Sequence, residues 1–104
     1  MNKFNGLIAA PFTPMDNKGE VVYGKIPDYV GLLEKNKVVG AFVNGSTGEG
    51  VSLSQKEKMQ ITEEWVKAAS GKKELKIINL IGGTSYKECI ENAKHSEECG
   101  VDAI

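Results

Sequence analysis

Apolar residues fall into two alternating patterns along this chain, and the alternation predicts its architecture. One pattern is a short run with little polar interruption: Gly6-Leu7-Ile8-Ala9-Ala10-Pro11, then Gly40-Ala41-Phe42-Val43-Asn44, then Lys76 to Ile81. Such runs read as strands buried in a parallel sheet. The other pattern repeats every three or four residues, as one stripe of a helix does. Ile26, Tyr29, Val30 and Leu33 follow it around Pro27 to Asn36, and Met59, Thr62, Val66 and Ala69 follow it further on. Pro27 suits a first helical turn. Ser54-Gln55-Lys56-Glu57 and Ser85-Tyr86-Lys87-Glu88 carry the spacing of capping boxes, in which serine and glutamate satisfy the free amides of a helix start. Gly71 and Gly100 are placed to end helices. Val101-Asp102-Ala103-Ile104 has the character of a fourth strand beginning.

The predicted order is therefore strand, helix, strand, helix, strand, helix, strand. Short loops between such elements give right-handed crossovers and a parallel sheet covered on both faces. Four strands do not close on themselves, and a complete eight-stranded barrel takes about 250 residues. The expected fold class is α/β, the N-terminal portion of a (βα)8 TIM barrel: three βα units plus the start of a fourth strand, with 1–104 as part of a single domain. A doubly wound, flavodoxin-like sheet is the competing architecture, but it would need at least one more strand and helix.

Composition narrows function only by exclusion. With 40% hydrophobic and 26% charged residues and a net charge of -1, the chain has neither the basic field that attracts nucleic acid nor one that attracts an anionic membrane. No run approaches the roughly 20 apolar residues of a membrane span, and Met1 to Gly6 lacks the apolar core of a secretory signal, so a cytoplasmic location is expected. Cys89 and Cys99 fall in one predicted helix, roughly 15 Å apart by its rise per residue. A disulfide needs Cα atoms within about 7 Å, so they are not expected to pair. His95 is the one histidine, and without CxxC or HxxxH spacing the sequence offers no zinc ligand set.

In parallel α/β folds ligands collect where strands lead into helices. Three loops qualify: Phe12-Thr13-Pro14, Gly45 to Leu53, and Gly82-Gly83-Thr84. The second sets two hydroxyls, Ser46 and Thr47, between Gly45 and Gly48, where side-chain and backbone donors can converge on a small anion. A carboxylate fits such a donor set without a fixed positive charge. Phosphate fits less well, because Glu49-Gly50 follows Gly48 where a Walker loop needs lysine, and the glycines run GxxGxG rather than GxGxxG. On these grounds alone, a turn capped by its own hydroxyls and a ligand loop both remain open.

The run Phe42-Val43-Asn44-Gly45-Ser46-Thr47-Gly48-Glu49-Gly50, preceded by Gly6-Leu7-Ile8-Ala9-Ala10-Pro11-Phe12-Thr13-Pro14, resembles the N-acetylneuraminate lyases of the dihydrodipicolinate synthase superfamily. Leu53-Ser54, Glu63-Glu64-Trp65 and Gly100-Val101-Asp102-Ala103 follow in the order that family shows, so the likeness covers essentially the whole chain. The resemblance implies an eight-stranded barrel aldolase, a homotetramer when full length, acting on a small-molecule 2-oxo acid such as a sialic acid with no metal or organic cofactor. It further implies that Ser46 and Thr47 hold the substrate carboxylate, with Gly45 and Gly48 as conformational necessities of the loop. Glu49 is expected to brace the loop through backbone hydrogen bonds, a catalytic carboxylate being the alternative. Ser46 in place of a second threonine, Asn44 before the loop and Gly50 after Glu49 resemble the lyases more than the 4-hydroxy-tetrahydrodipicolinate synthases, the nearest rival within the superfamily.

The family's Schiff-base lysine and proton-transfer tyrosine belong to later strands, beyond Ile104, so no catalytic residue is expected in this chain. Its lysines, including Lys76 ahead of the third strand, read as solvated surface charge. His95, Trp65 and Met59 read as helix-face or packing residues. The expectation is a truncated enzyme, inactive alone. A half barrel that binds a partner or itself through its open edges is a reading of a different class.

Overall fold

The computed structural model describes residues 4–71 and 75–104. Residues 1–3, part of the segment read for a signal, and Lys72 and Lys73, read among the surface lysines, lie outside them. The described elements are β1 (Ile8–Ala9), α1 (Ile26–Lys35), β2 (Gly40–Val43), α2 (Gln55–Ala69), β3 (Lys76–Asn79) and α3 (Tyr86–Cys99), with single 3-10 turns at Tyr23–Lys25 and Gly50–Ser52. The strands form one parallel sheet in the order β1-β2-β3, with Ile8 opposite Gly40 and Val43 opposite Asn79. A parallel bridge from Ile78 to Ala103 puts the last residues beside β3, where the fourth strand was expected to open. Asp102 holds that junction, accepting from the Ile77 amide at 2.8 Å through its carboxylate while its own amide donates to the Ile77 carbonyl at 2.8 Å.

Alternation along the strands decides which residues enter the core. Ala41, Val43 and Ile77 are buried against Ile26, Val30 and Leu33 of α1 and Ile61, Trp65 and Ala69 of α2. Phe42 and Ile78, pointing the other way, are only half-buried, and Ile8 and Leu80 are exposed. The sequence predicted cover on both faces; among the described residues only one face is covered, because α1, α2 and α3 pack side by side in chain order on that face. One-sided helical cover is the arrangement of a barrel wall, whereas a doubly wound sheet has helices on both faces.

Several expectations change in detail. The first strand was expected to be buried from Gly6 to Pro11, yet β1 has only two residues and Leu7 is 77% exposed, because β1 lies at the edge of the sheet with β2 as its one described neighbour. The buried stripe of α2 is Ile61, Thr62, Trp65 and Ala69, so Met59 and Val66 sit at its margin, half-buried. Both stripes keep a helical period; the bulk of Trp65, 1% exposed and tilted against the Tyr29 ring at 5.5 Å, orients the helix. Ser54 and Glu57 form the predicted capping box in full, with bonds of 3.1 and 2.9 Å. At α3 only half of one forms: Ser85 accepts from the Glu88 amide at 3.3 Å, without the return bond from the glutamate. Gly100 ends α3 in the left-handed region, as predicted. Lys76 is the exposed first residue of β3 rather than a residue ahead of it. Cys89 and Cys99 are free thiols.

Candidate functional site

The loop that follows β2 lies at the carboxyl edge of the sheet and is built on two left-handed residues. Asn44 (φ 60°) turns the chain out of the strand, and Glu49 (φ 59°) turns it into the 3-10 turn. Asparagine is among the few residues besides glycine found often in this conformation; glutamate has no such advantage, so the loop holds it there by backbone bonds. The Glu49 amide donates to the Ser46 carbonyl at 3.0 Å, and its carbonyl accepts from the Ser52 amide at 2.9 Å. Among the described residues its exposed carboxylate has no hydrogen-bond partner.

Ser46 and Thr47 form the exposed crest of the loop, between the buried Gly45 and Gly48. Neither hydroxyl bonds another described residue, and the amides of Ser46, Thr47 and Gly48 donate to no carbonyl among them. Two exposed hydroxyls and three adjacent N–H groups thus have no hydrogen-bond partner among the described residues, a donor cluster suited to an anion. This distinguishes the loop from a turn capped by its own hydroxyls, the alternative the sequence left open.

The glycines serve space rather than backbone sign, since neither Gly45 nor Gly48 has positive φ. A Cβ on Gly48 would meet the Pro11 carbonyl at 3.2 Å and the Thr13 hydroxyl at 3.3 Å. Gly48 is where the first and second loops join, its carbonyl accepting from the Thr13 hydroxyl at 2.6 Å. A Cβ on Gly50 would run into the Asn44 carbonyl, backbone against backbone. Gly50→Ala is therefore expected to cost about 2–3 kcal/mol, at the upper end for overpacking because no side chain can swing aside; a urea midpoint unchanged from the parent chain would remove this account of the loop.

Beneath the crest runs a polar chain that sequence patterns did not reveal. The buried Asn44 amide donates to Asn79 Oδ1 at 2.8 Å, Thr62 Oγ1 at 3.1 Å and the Lys58 carbonyl at 3.3 Å. Asn79 in turn donates to Ser96 Oγ at 2.8 Å. One left-handed residue is thereby tied to α2, β3 and α3, which anchors the base of the Ser46–Thr47 crest. Asn44 was legible only as the residue before the loop; its partners lie 14 to 35 positions away.

The remaining named side chains stand apart from this edge. Trp65 is core, and Met59 packs at the margin of α2. His95 lies on the flank of α3, where Nε2 meets Glu63 Oε1 at 2.8 Å. The third loop, Gly82-Gly83-Thr84, by contrast follows β3 at the same carboxyl edge and is exposed. Among the described residues no helix is long and apolar enough to cross a membrane.

Known proteins share both this sequence and this geometry. Residues 3–104 match the profile of the dihydrodipicolinate synthetase family. Human N-acetylneuraminate lyase is 46% identical over 103 residues, which are 98% of this chain and 32% of that protein. The Proteus mirabilis N-acetylneuraminate lyase superposes with a TM-score of 0.92 at 40% identity, over 98% of this chain and 34% of the other. Dihydrodipicolinate synthase from Aquifex aeolicus superposes with a TM-score of 0.87 at 32% identity, over 96% of this chain and 33% of the other. The chain thus spans about a third of the length of the relatives it matches, and its three parallel strands and helices correspond to the N-terminal part of their TIM barrels. With the profile running through the donor loop and every described element, this chain belongs to the dihydrodipicolinate synthetase family.

Proposed function

We propose that this chain forms the carboxylate-holding part of an N-acetylneuraminate lyase, which cleaves N-acetylneuraminate to N-acetylmannosamine and pyruvate. The observation that carries the reading is the pair of unpartnered hydroxyls, Ser46 and Thr47, beside three free amides at the carboxyl end of β2. These donors hold the carboxylate of a 2-oxo acid and leave its neighbouring carbonyl free to react. Gly45, Gly48 and Glu49 support that crest through close approach and backbone bonds. The covalent chemistry falls to a lysine and a tyrosine carried by other strands of the barrel. The lysine amine condenses with the keto group and releases water. The resulting iminium accepts the electron pair of the breaking carbon–carbon bond while the tyrosine takes the proton of the hydroxyl that becomes the aldehyde, and protonation and hydrolysis of the remaining enamine return the lysine and release pyruvate. Identities of 46% and 40% to lyases against 32% to the synthase favour the lyase over a synthase that condenses pyruvate with an aspartate-derived aldehyde. A cytoplasmic homotetramer is part of the same reading.

Chimeras separate the two. The 104-residue chain alone is expected to release no pyruvate from N-acetylneuraminate. Joined to the remaining two-thirds of the Proteus mirabilis lyase it is expected to restore release, and to do so better than the matching Aquifex aeolicus chimera restores synthase activity. Turnover by the chain alone, or the opposite order of recovery, overturns the proposal.

A further inference from the structure

The flank where α2 meets α3 gathers three side chains of different ligand chemistry, away from the donor loop. Glu63 projects from α2; His95 and Cys99, one helical turn apart, project from α3. Nε2 of His95 lies 2.8 Å from Glu63 Oε1 and 3.4 Å from Cys99 Sγ, and one ligand atom from each residue falls within 4.8 Å of the other two. We propose that Glu63, His95 and Cys99 form a binding site for a zinc-class divalent cation that clasps α2 to α3.

Geometry supports the assignment. Zinc bonds of about 2.3 Å to sulfur and about 2.0–2.2 Å to nitrogen and oxygen, set tetrahedrally, space neighbouring ligand atoms by roughly 3.3–3.6 Å. The Nε2 to Sγ separation already matches. The Glu63 oxygen has to withdraw by about half an ångström on this count, and its side chain, 55% exposed, is free to do so. Thiolate, imidazole and carboxylate together select zinc or cobalt over magnesium and calcium, which take oxygen donors.

Charge points the same way. Three carboxylates, Glu63, Glu64 and Glu91, and one lysine, Lys56, line the groove beside His95. On binding the dication the Cys99 thiol gives its proton to solvent and the thiolate becomes a ligand. The sequence showed no CxxC or HxxxH spacing, yet His95 and Cys99 have the same four-residue step, and the third ligand comes from another helix.

The test is cobalt titration of the reduced, metal-free 104-residue chain, followed by absorption. A thiolate-to-cobalt charge-transfer band that saturates at one cobalt per chain and is displaced by zinc is expected. Cys99→Ser and His95→Ala should abolish it, whereas Cys89→Ser should leave it unchanged, with circular dichroism establishing that each variant is folded. Zinc in excess should raise the Tm of the parent by about 5–10 °C and leave that of Cys99→Ser where it was. A folded parent chain that gives no charge-transfer band, or a band that survives His95→Ala, overturns the proposal.

Discussion

Replacing both Ser46 and Thr47 with alanine, in the lyase chimera, is expected to weaken pyruvate binding about a hundredfold while leaving the fold intact. Each hydroxyl would donate to a carboxylate, and a hydrogen bond to a charged group contributes about 1.5–3 kcal/mol. Two at the lower limit give about 3 kcal/mol, roughly two orders of magnitude in Kd. Stability should hardly move, because both side chains are exposed and bond no other described residue. Calorimetric titration with pyruvate and a urea melt on the same sample read the two quantities separately. Affinity equal to that of the parent chimera would strip the pair of its proposed role, and a matching loss of stability would make them structural.

Trp65→Ala is expected to have the opposite signature, a large loss of stability with no direct contact to the donor loop. The indole is 1% exposed and packs on the Tyr29 ring from α1, so its removal opens a cavity where α1, α2 and the sheet meet. Truncations of this size cost about 3–5 kcal/mol. Domains have about 5–15 kcal/mol in total, so the variant should lose its cooperative urea transition or show it at a much lower midpoint. A midpoint shift worth less than about 1 kcal/mol would mean that α2 is not oriented by this ring.

The two variants also mark what was legible in the sequence. The order of strands and helices was readable because apolar runs, capping residues and stopping glycines are local signals, and the Ser54–Glu57 box formed as its spacing predicted. The face of α2 was misread by one notch: Met59-Thr62-Val66-Ala69 and Ile61-Thr62-Trp65-Ala69 both have a helical period, and side-chain bulk broke the tie. Burial of β1 was not readable at all, since it depends on what lies across the sheet rather than on Leu7 and Ile8 themselves. The same division runs through the sites. Gly45, Ser46, Thr47, Gly48 and Glu49 are contiguous and stood out as a loop. Asn44 with Asn79, Thr62 and Ser96, and Glu63 with His95 and Cys99, are assembled only when α2, β3 and α3 come together.

The bond between Asn44 and Asn79 has a consequence for how the sheet reaches its alignment. Sliding β3 by a single place would turn Asn79 to the opposite side, taking one acceptor from the Asn44 amide and its donor from the buried Ser96. A one-place slip of β3 against β2 therefore breaks the Asn79–Ser96 bond, whereas the apolar neighbours Val43 and Ile77 carry no such directional demand. Alignment of these two strands is thus favoured by the side chains of Asn44, Asn79 and Ser96 beneath the loop, so the loop's base and the register of the sheet depend on the same bonds.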